Sequence, residues 1–256
     1  MKNSTEIQGY DIIVIQSLKV DDRKTGEELY NDIIKYKPFV RDDVYTNFYD
    51  VNSQYEFREL LNKIEENASS NHVLTLHFET HGCVDGIELS SSELISWKEL
   101  FTYIRPINIK TSNLLMVVMS MCKGAAISSH IEPELSCPFR AFVGFEHDMF
   151  DNTLYEAFVT FYESYNNMLD VFAAIERANK VLSDGSKAWC MRAIDIFDKV
   201  LNPDTNPDSF DEVIDSNYAE YIKREGFITK EQFKEKVRQY FINNAKKYRK
   251  HYNFED

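Results

Sequence analysis

The chain has 256 residues, 43% of them hydrophobic, enough for one large domain with a sizeable core or one domain with an appendage. Its formal net charge of -13 repels nucleic acid and sets DNA or RNA binding aside. No apolar run approaches the ~20 residues of a membrane helix, and Ile12 to Ile15 is too short for a signal-peptide core, so a cytoplasmic protein without a membrane role is expected.

Strands and helices alternate along the chain. Tyr10 to Gln16 reads as a first strand, and Thr25 to Tyr36 has Leu29, Ile33 and Ile34 at helical spacing. Val44 to Val51 reads as extended. Ser53 is placed to cap a helix whose inward positions are Phe57, Leu60, Leu61 and Ile64. Val73 to Phe78 is an apolar strand leading to His81-Gly82, and Ile87 to Ser90 suggests a hairpin arm. Trp97 to Ile104 reads as a short helix stopped by Pro106. Leu114 to Met119 is the most apolar run and leads straight to Cys122; Phe139 to Phe145 is a further strand.

Two helices follow, with Leu154, Phe158, Phe161, Tyr162 and Tyr165 on one face of the first and Val171, Ile175, Ala178 and Leu182 on the second. Trp189 to Phe197 is the expected last strand, and Pro203 and Pro207 mark a linker. Thr229 to Gln232 is a capping box for a terminal helix with Phe233, Val237, Tyr240 and Phe241 inward. The expected fold is α/β: a mainly parallel sheet with helices on both faces over residues 1–200, and a helical C-terminal extension over 201–256.

Residues 204–220 hold six acids and no base, whereas 223–250 hold ten Lys or Arg and three acids. This switch suits either two solvated helix faces or a docking surface for a partner.

In open sheets of this type, sites form beyond the carboxyl ends of the strands. His81 and Cys122 both follow such ends. A cysteine there is exposed enough to ionise, and Gly124 lets the chain turn into a helix beginning at Ala125, whose amino terminus favours a thiolate. The alternative is a buried cysteine packing as a small hydrophobe. His81 suits proton exchange with a thiol or leaving amine, or is an inert loop residue. His77, His81 and Cys83 cluster in sequence, but residues four apart on a strand lie roughly 13 Å apart and cannot share an ion, so no metal is expected. The other three cysteines, Cys83, Cys137 and Cys190, form no CxxC pair with Cys122 or one another, and free thiols are expected. His81 and Cys122 are 41 positions apart, and the stretch between them holds one arm, one helix and one strand. That crossover makes their strands parallel neighbours, about 4.8 Å apart, with tips facing one cleft.

A strand ending in His-Gly followed by a strand ending in Cys-x-Gly resembles the caspase-like cysteine peptidases of clan CD. Ser120-Met121-Cys122-Lys123-Gly124, Val143-Gly144, Phe158 to Tyr162 and Ala173 to Ala178 are most similar, in order, to the parts of the bacterial CHAT branch. Thr80 stands where that branch often has glycine, Met121 replaces a small residue, and Ser120 replaces the caspase glutamine that lines an aspartate pocket. The resemblance implies a cysteine endopeptidase with no cofactor. Cys122 is then the nucleophile, His81 the proton donor to the leaving amine, and the backbone N–H groups of Gly82 and Cys122 the oxyanion donors. Ser120, Glu79, Asp85, Glu146 and Asp148 become substrate-pocket candidates, any of the acids selecting Lys or Arg or standing as a solvated loop residue. The likeness further implies a protein substrate such as a gasdermin-like one, in a bacterial antiviral defence system, with an activating partner at the C-terminal helices. The rival readings are a non-catalytic interaction module on the same fold and another α/β amidohydrolase with a cysteine nucleophile.

Overall fold

The structure is a computed structural model that describes residues 6–132, 135–168, 170–182, 186–196, 207–226 and 228–248. It divides into two compact units, residues 1–131 with 137–193 and residues 132–136 with 194–256.

The first unit is built on β1 (Gly9–Ser17), β2 (Val44–Asp50), β3 (His72–Gly82), β6 (Leu115–Ser120), β7 (Ala141–Phe145) and β8 (Ala188–Arg192) in the order β2-β1-β3-β6-β7-β8. All neighbours are parallel except β8, which runs antiparallel to β7. β4 (Gly86–Glu88) pairs with the end of β3 and with β5 (Leu94–Ser96), forming the arm expected from Ile87 to Ser90.

Helices cover both faces. α3 (Gln54–Asn67) and α4 (Trp97–Lys110) lie on one, where Phe57 packs on Phe78 of β3. α1 (Thr25–Asp32), α5 (Asp151–Met168) and α6 (Val171–Val181) lie on the other, where Val14, Val118 and Val143 meet Leu29, Phe158, Phe161, Tyr162 and Ile175. A strand covered on both sides has no solvent face, which is why every residue of β6 is buried. α2 (Lys37–Val40) is a single turn beside β2.

The helix starts follow local chemistry. Ser53 accepts a hydrogen bond from the Glu56 N–H at 3.2 Å, and the Glu56 carboxylate accepts one from the Asn52 N–H at 2.7 Å. Ser96 caps α4 through the Glu99 N–H, and Asp170 caps α6 through two N–H groups.

Two expectations change. Pro106 does not stop its helix: α4 runs on to Lys110 with the proline inside. Buried Ile107 and Asn108 hold that last turn, and the Asn108 side chain is tied to the Cys137 carbonyl at 2.9 Å and to the Leu115 N–H at 3.2 Å. These tertiary ties offset the hydrogen bond that the proline removes. The last strand is shorter than Trp189 to Phe197. It ends at Arg192, and the chain is helical from Ala193 to Ile196, with Phe197 outside the described residues.

The second unit contains α7 (Pro207–Glu225) and α8 (Lys230–Tyr248), joined around a small core of Phe210, Ile214 and Phe233. Thr229 and Gln232 form the reciprocal capping box at 3.0 and 3.2 Å. Lys230 pairs with Asp215 and Lys234 with Asp211, so the acidic and basic stretches partly neutralise each other within this hairpin. No helix among the described residues is long and apolar enough to cross a membrane.

Phe158 is 2% exposed and meets Phe145, Phe161 and His77 edge-on between α5 and the sheet. Phe158→Ala is expected to cost about 3–5 kcal/mol, read as a lower urea midpoint at unchanged slope.

Candidate functional site

The register of β3 and β6 sets the site. Glu79 lies opposite Ser120, and His81 and Cys122 each follow two residues later. Side chains two apart on a strand share a face. His77 of β3 and Val118 of β6 both meet the α5 side of the sheet, so Glu79 and His81 continue that file on one strand and Ser120 on the other.

His81, Cys122, Glu79, Thr80, Ser120 and Met121 line one narrow cavity of about 30 Å³, together with Asp22, Arg23, Thr25, Met149, Asp151 and others. That is space for little more than one water, so a larger group must sit over its mouth rather than inside it. A larger cavity, of about 210 Å³, is lined by Asp11, His72 and Lys63 and belongs to the amino-terminal ends of β1 and β3, away from these tips.

Gly82 is why the two strand tips can meet. A Cβ there would overlap the Cys122 carbonyl oxygen and lie 2.8 Å from Met121 Cγ. Only a residue without a side chain allows this approach.

Cys122 is partly exposed. Its sulfur accepts a hydrogen bond from the Met149 N–H at 3.3 Å, and its thiol reaches the Met149 carbonyl at 3.6 Å. The Lys123 N–H donates to the His147 carbonyl at 3.2 Å, so the loop before α5 frames the turn.

The turn itself differs from expectation. Lys123, not Gly124, takes the left-handed conformation, with φ 55°. Gly124 is required by packing, because a Cβ there would lie 2.6 Å from Met119 Cβ. The segment that follows, Gly124–His130, is a 3₁₀ helix. The N–H group on the sulfur therefore comes from Met149, a residue that sequence reasoning passed over.

His81 is half-exposed, and its Nε2 lies 2.8 Å from Asp22 Oδ2. Desolvation pushes the Asp22 carboxyl up, but the hydrogen bonds from His81 and from the Lys19 N–H outweigh it and hold the group below 3.8. Asp22 stands in a polar loop just past the carboxyl end of β1. That position is the one signal by which the sequence marked it.

Glu79 and Ser120 line the cavity but are buried at 3% and 2% exposure. The Glu79 carboxylate accepts from Thr25 Oγ1 at 2.6 Å and lies 2.9 Å from His77 Nε2, while His77 Nδ1 meets the Tyr162 hydroxyl at 3.0 Å. His77 thus belongs to a buried network below the site. Asp85, Glu146 and Asp148 are exposed and do not line this cavity; Asp148 pairs with Lys123 at 3.5 Å. Asp151, at the start of α5, does line it.

Neither a family model nor a curated protein sequence matches the chain. Among solved structures, the Drosophila initiator caspase Dronc superposes with a TM-score of 0.53 at 11% identity, over 74% of this chain and 81% of that one. The chain has a caspase-like fold. At that identity the likeness extends to the architecture, a mostly parallel sheet between helices. In this chain the ends of β3 and β6 lie side by side, as the pairing of Glu79 with Ser120 shows.

The four cysteines differ in environment. Cys137 is buried, and desolvation pushes its thiol up to about 12. At pH 8 roughly one molecule in ten thousand then carries that thiolate. Native protein treated with iodoacetamide is expected to lose Cys122 first, as followed by peptide mass mapping, with Cys137 modified only after unfolding. Gly82→Ala is expected to slow Cys122 modification at least tenfold or to lower the urea midpoint, because the Cys122 carbonyl must move.

Proposed function

We propose that this chain is a cysteine endopeptidase. The observation that carries the reading is that a partly exposed cysteine and a histidine, on adjacent strand tips of a caspase-like sheet, line one cavity. In this reading the Cys122 sulfur attacks the scissile carbonyl carbon, forming a C–S bond, and the thiol proton passes to His81. His81 returns that proton to the leaving amine as the C–N bond breaks. Water then attacks the thioester, giving the acid and restoring the thiol. The backbone N–H groups of Gly82 and Cys122 hold the carbonyl oxygen as charge develops on it. Nothing in this sequence of steps calls for a metal or organic cofactor.

The substrate class follows from charge. Of the three acids in the cavity lining, Glu79 is held by Thr25 and His77 and Asp22 by His81, which leaves Asp151 to meet a substrate, and the guanidinium in the lining, Arg23, is engaged by Glu28 at 2.5 Å. We assign the enzyme a preference for a basic residue before the cut. On the motif likeness to the CHAT branch, its target is a dedicated protein, gasdermin-like, in bacterial defence, and an activating partner meets the α7–α8 hairpin.

Cys122→Ala and His81→Ala are each expected to reduce peptide cleavage at least a thousandfold while leaving thermal stability within a few degrees. Profiling with a peptide library is expected to show Lys or Arg before the scissile bond. Undiminished cleavage by Cys122→Ala, or strict cutting after an acidic or apolar residue, ends the respective claim. Equal cellular effects of wild type and Cys122→Ala identify a binding module instead.

A further inference from the structure

The loop between β1 and α1 is tied down more firmly than a simple connection needs. The Asp22 N–H donates to the Lys19 carbonyl at 3.0 Å, and the Lys19 N–H donates back to Asp22 Oδ2 at 2.7 Å. Lys24 Nζ donates to the carbonyls of Leu18 and Lys19, both at 2.6 Å. Lys19 Nζ pairs with Glu88 at 2.7 Å, and Glu88 is the residue directly opposite His81 in the β3–β4 ladder. Arg23 grips Glu28 of α1 through two nitrogens, bonds Asn152 of α5 and lies 4.7 Å above the Tyr155 ring. These ties hold the Asp22 carboxylate at one place, and what it meets there is His81 Nε2 at 2.8 Å.

We propose that Asp22 is a positioning residue that selects the working tautomer and orientation of the His81 ring. A neutral imidazole carries one proton, and a carboxylate accepts but does not donate. With Asp22 on Nε2, the proton sits on Nε2 and the Nδ1 lone pair is left for the cavity. Nδ1 has no other partner among the described residues. It then accepts the Cys122 proton, and the resulting imidazolium keeps the Asp22 carboxylate on its far side. A histidine whose second nitrogen is fixed by an outer partner has its tautomer decided by that partner. The role rests on the peptidase reading above, but the tautomer does not.

The test uses full-length protein labelled with ¹⁵N-histidine, with His81→Ala to assign the ring signals. At about pH 9, well above the ~6.5 of a free histidine, wild type is expected to show His81 as one tautomer, protonated at Nε2. Asp22→Ala is expected to give mixed tautomers and to slow Cys122 alkylation at least tenfold. Asp22→Asn keeps an acceptor for the Lys19 N–H and so preserves the loop, and is expected to slow alkylation as well. Asp22→Glu is expected to recover part of the rate. A ring signal that Asp22→Ala leaves unchanged overturns the proposal. So does a tautomer shift with no change in alkylation, since the bond then has no consequence for the sulfur. If Cys122→Ala still cleaves peptides, the peptidase reading falls whatever the tautomer does. If Cys122→Ala is inactive and the tautomer ignores Asp22, this inference alone falls.

Discussion

The close approach of Gly82 to the Cys122 carbonyl is the contact on which the arrangement of the site depends. Two parallel strands are ordinarily kept about 4.8 Å apart by their ladder, and that ladder ends at Glu79 and Ser120. Beyond it the chains have no backbone pairing to hold them together. β3 continues by pairing with β4 on its other side, while β6 breaks into the left-handed turn at Lys123. The absent side chain at Gly82 lets the two diverging ends stay in contact, with Met121 filling the space below. That contact keeps the backbone that carries His81 beside the backbone that carries the sulfur.

Around this contact the site is assembled from loops that belong to different parts of the chain. The β1–α1 loop brings Asp22, the β7–α5 loop brings Met149, and the start of α5 brings Asp151. Beneath them lies the buried set Thr25, Glu79, His77 and Tyr162, in which a carboxylate at 3% exposure is satisfied by a hydroxyl and an imidazole. A buried carboxylate is costly unless its oxygens are met, and here both are. The network thereby joins α1, β3 and α5 under the cleft. It also explains why Glu79 is a poor free acid for a substrate, despite its place in the lining.

Most of the sheet was legible beforehand, for a local reason. Continuous apolar runs such as Leu114 to Met119 declare strands buried on both faces, and the apolar stripe of α5 at 154, 158, 161, 162 and 165 declares a helix lying on them. The caps at Ser53 and Thr229 act within four residues of themselves and were equally readable. Pro106 was not. Its local preference is to end a helix, and it is overruled by Asn108, whose partners lie 29 and 7 positions away. Gly124 was readable as necessary but not for the right reason, since the need comes from Met119 behind it rather than from its own dihedral angles.

By itself, then, the amino-acid sequence determined the alternation of strands and helices, the crossover that makes β3 and β6 neighbours, and the two residues at their tips. Each of these follows from periodicity and short-range chemistry. Only the tertiary structure decided that Asp22 faces His81 from 59 positions away, that Met149 meets the sulfur from 27 positions away, and that Glu79 is enclosed. Those pairings depend on how loops from separate crossovers land at one end of the sheet, and no local pattern of residue types encodes where a loop will land.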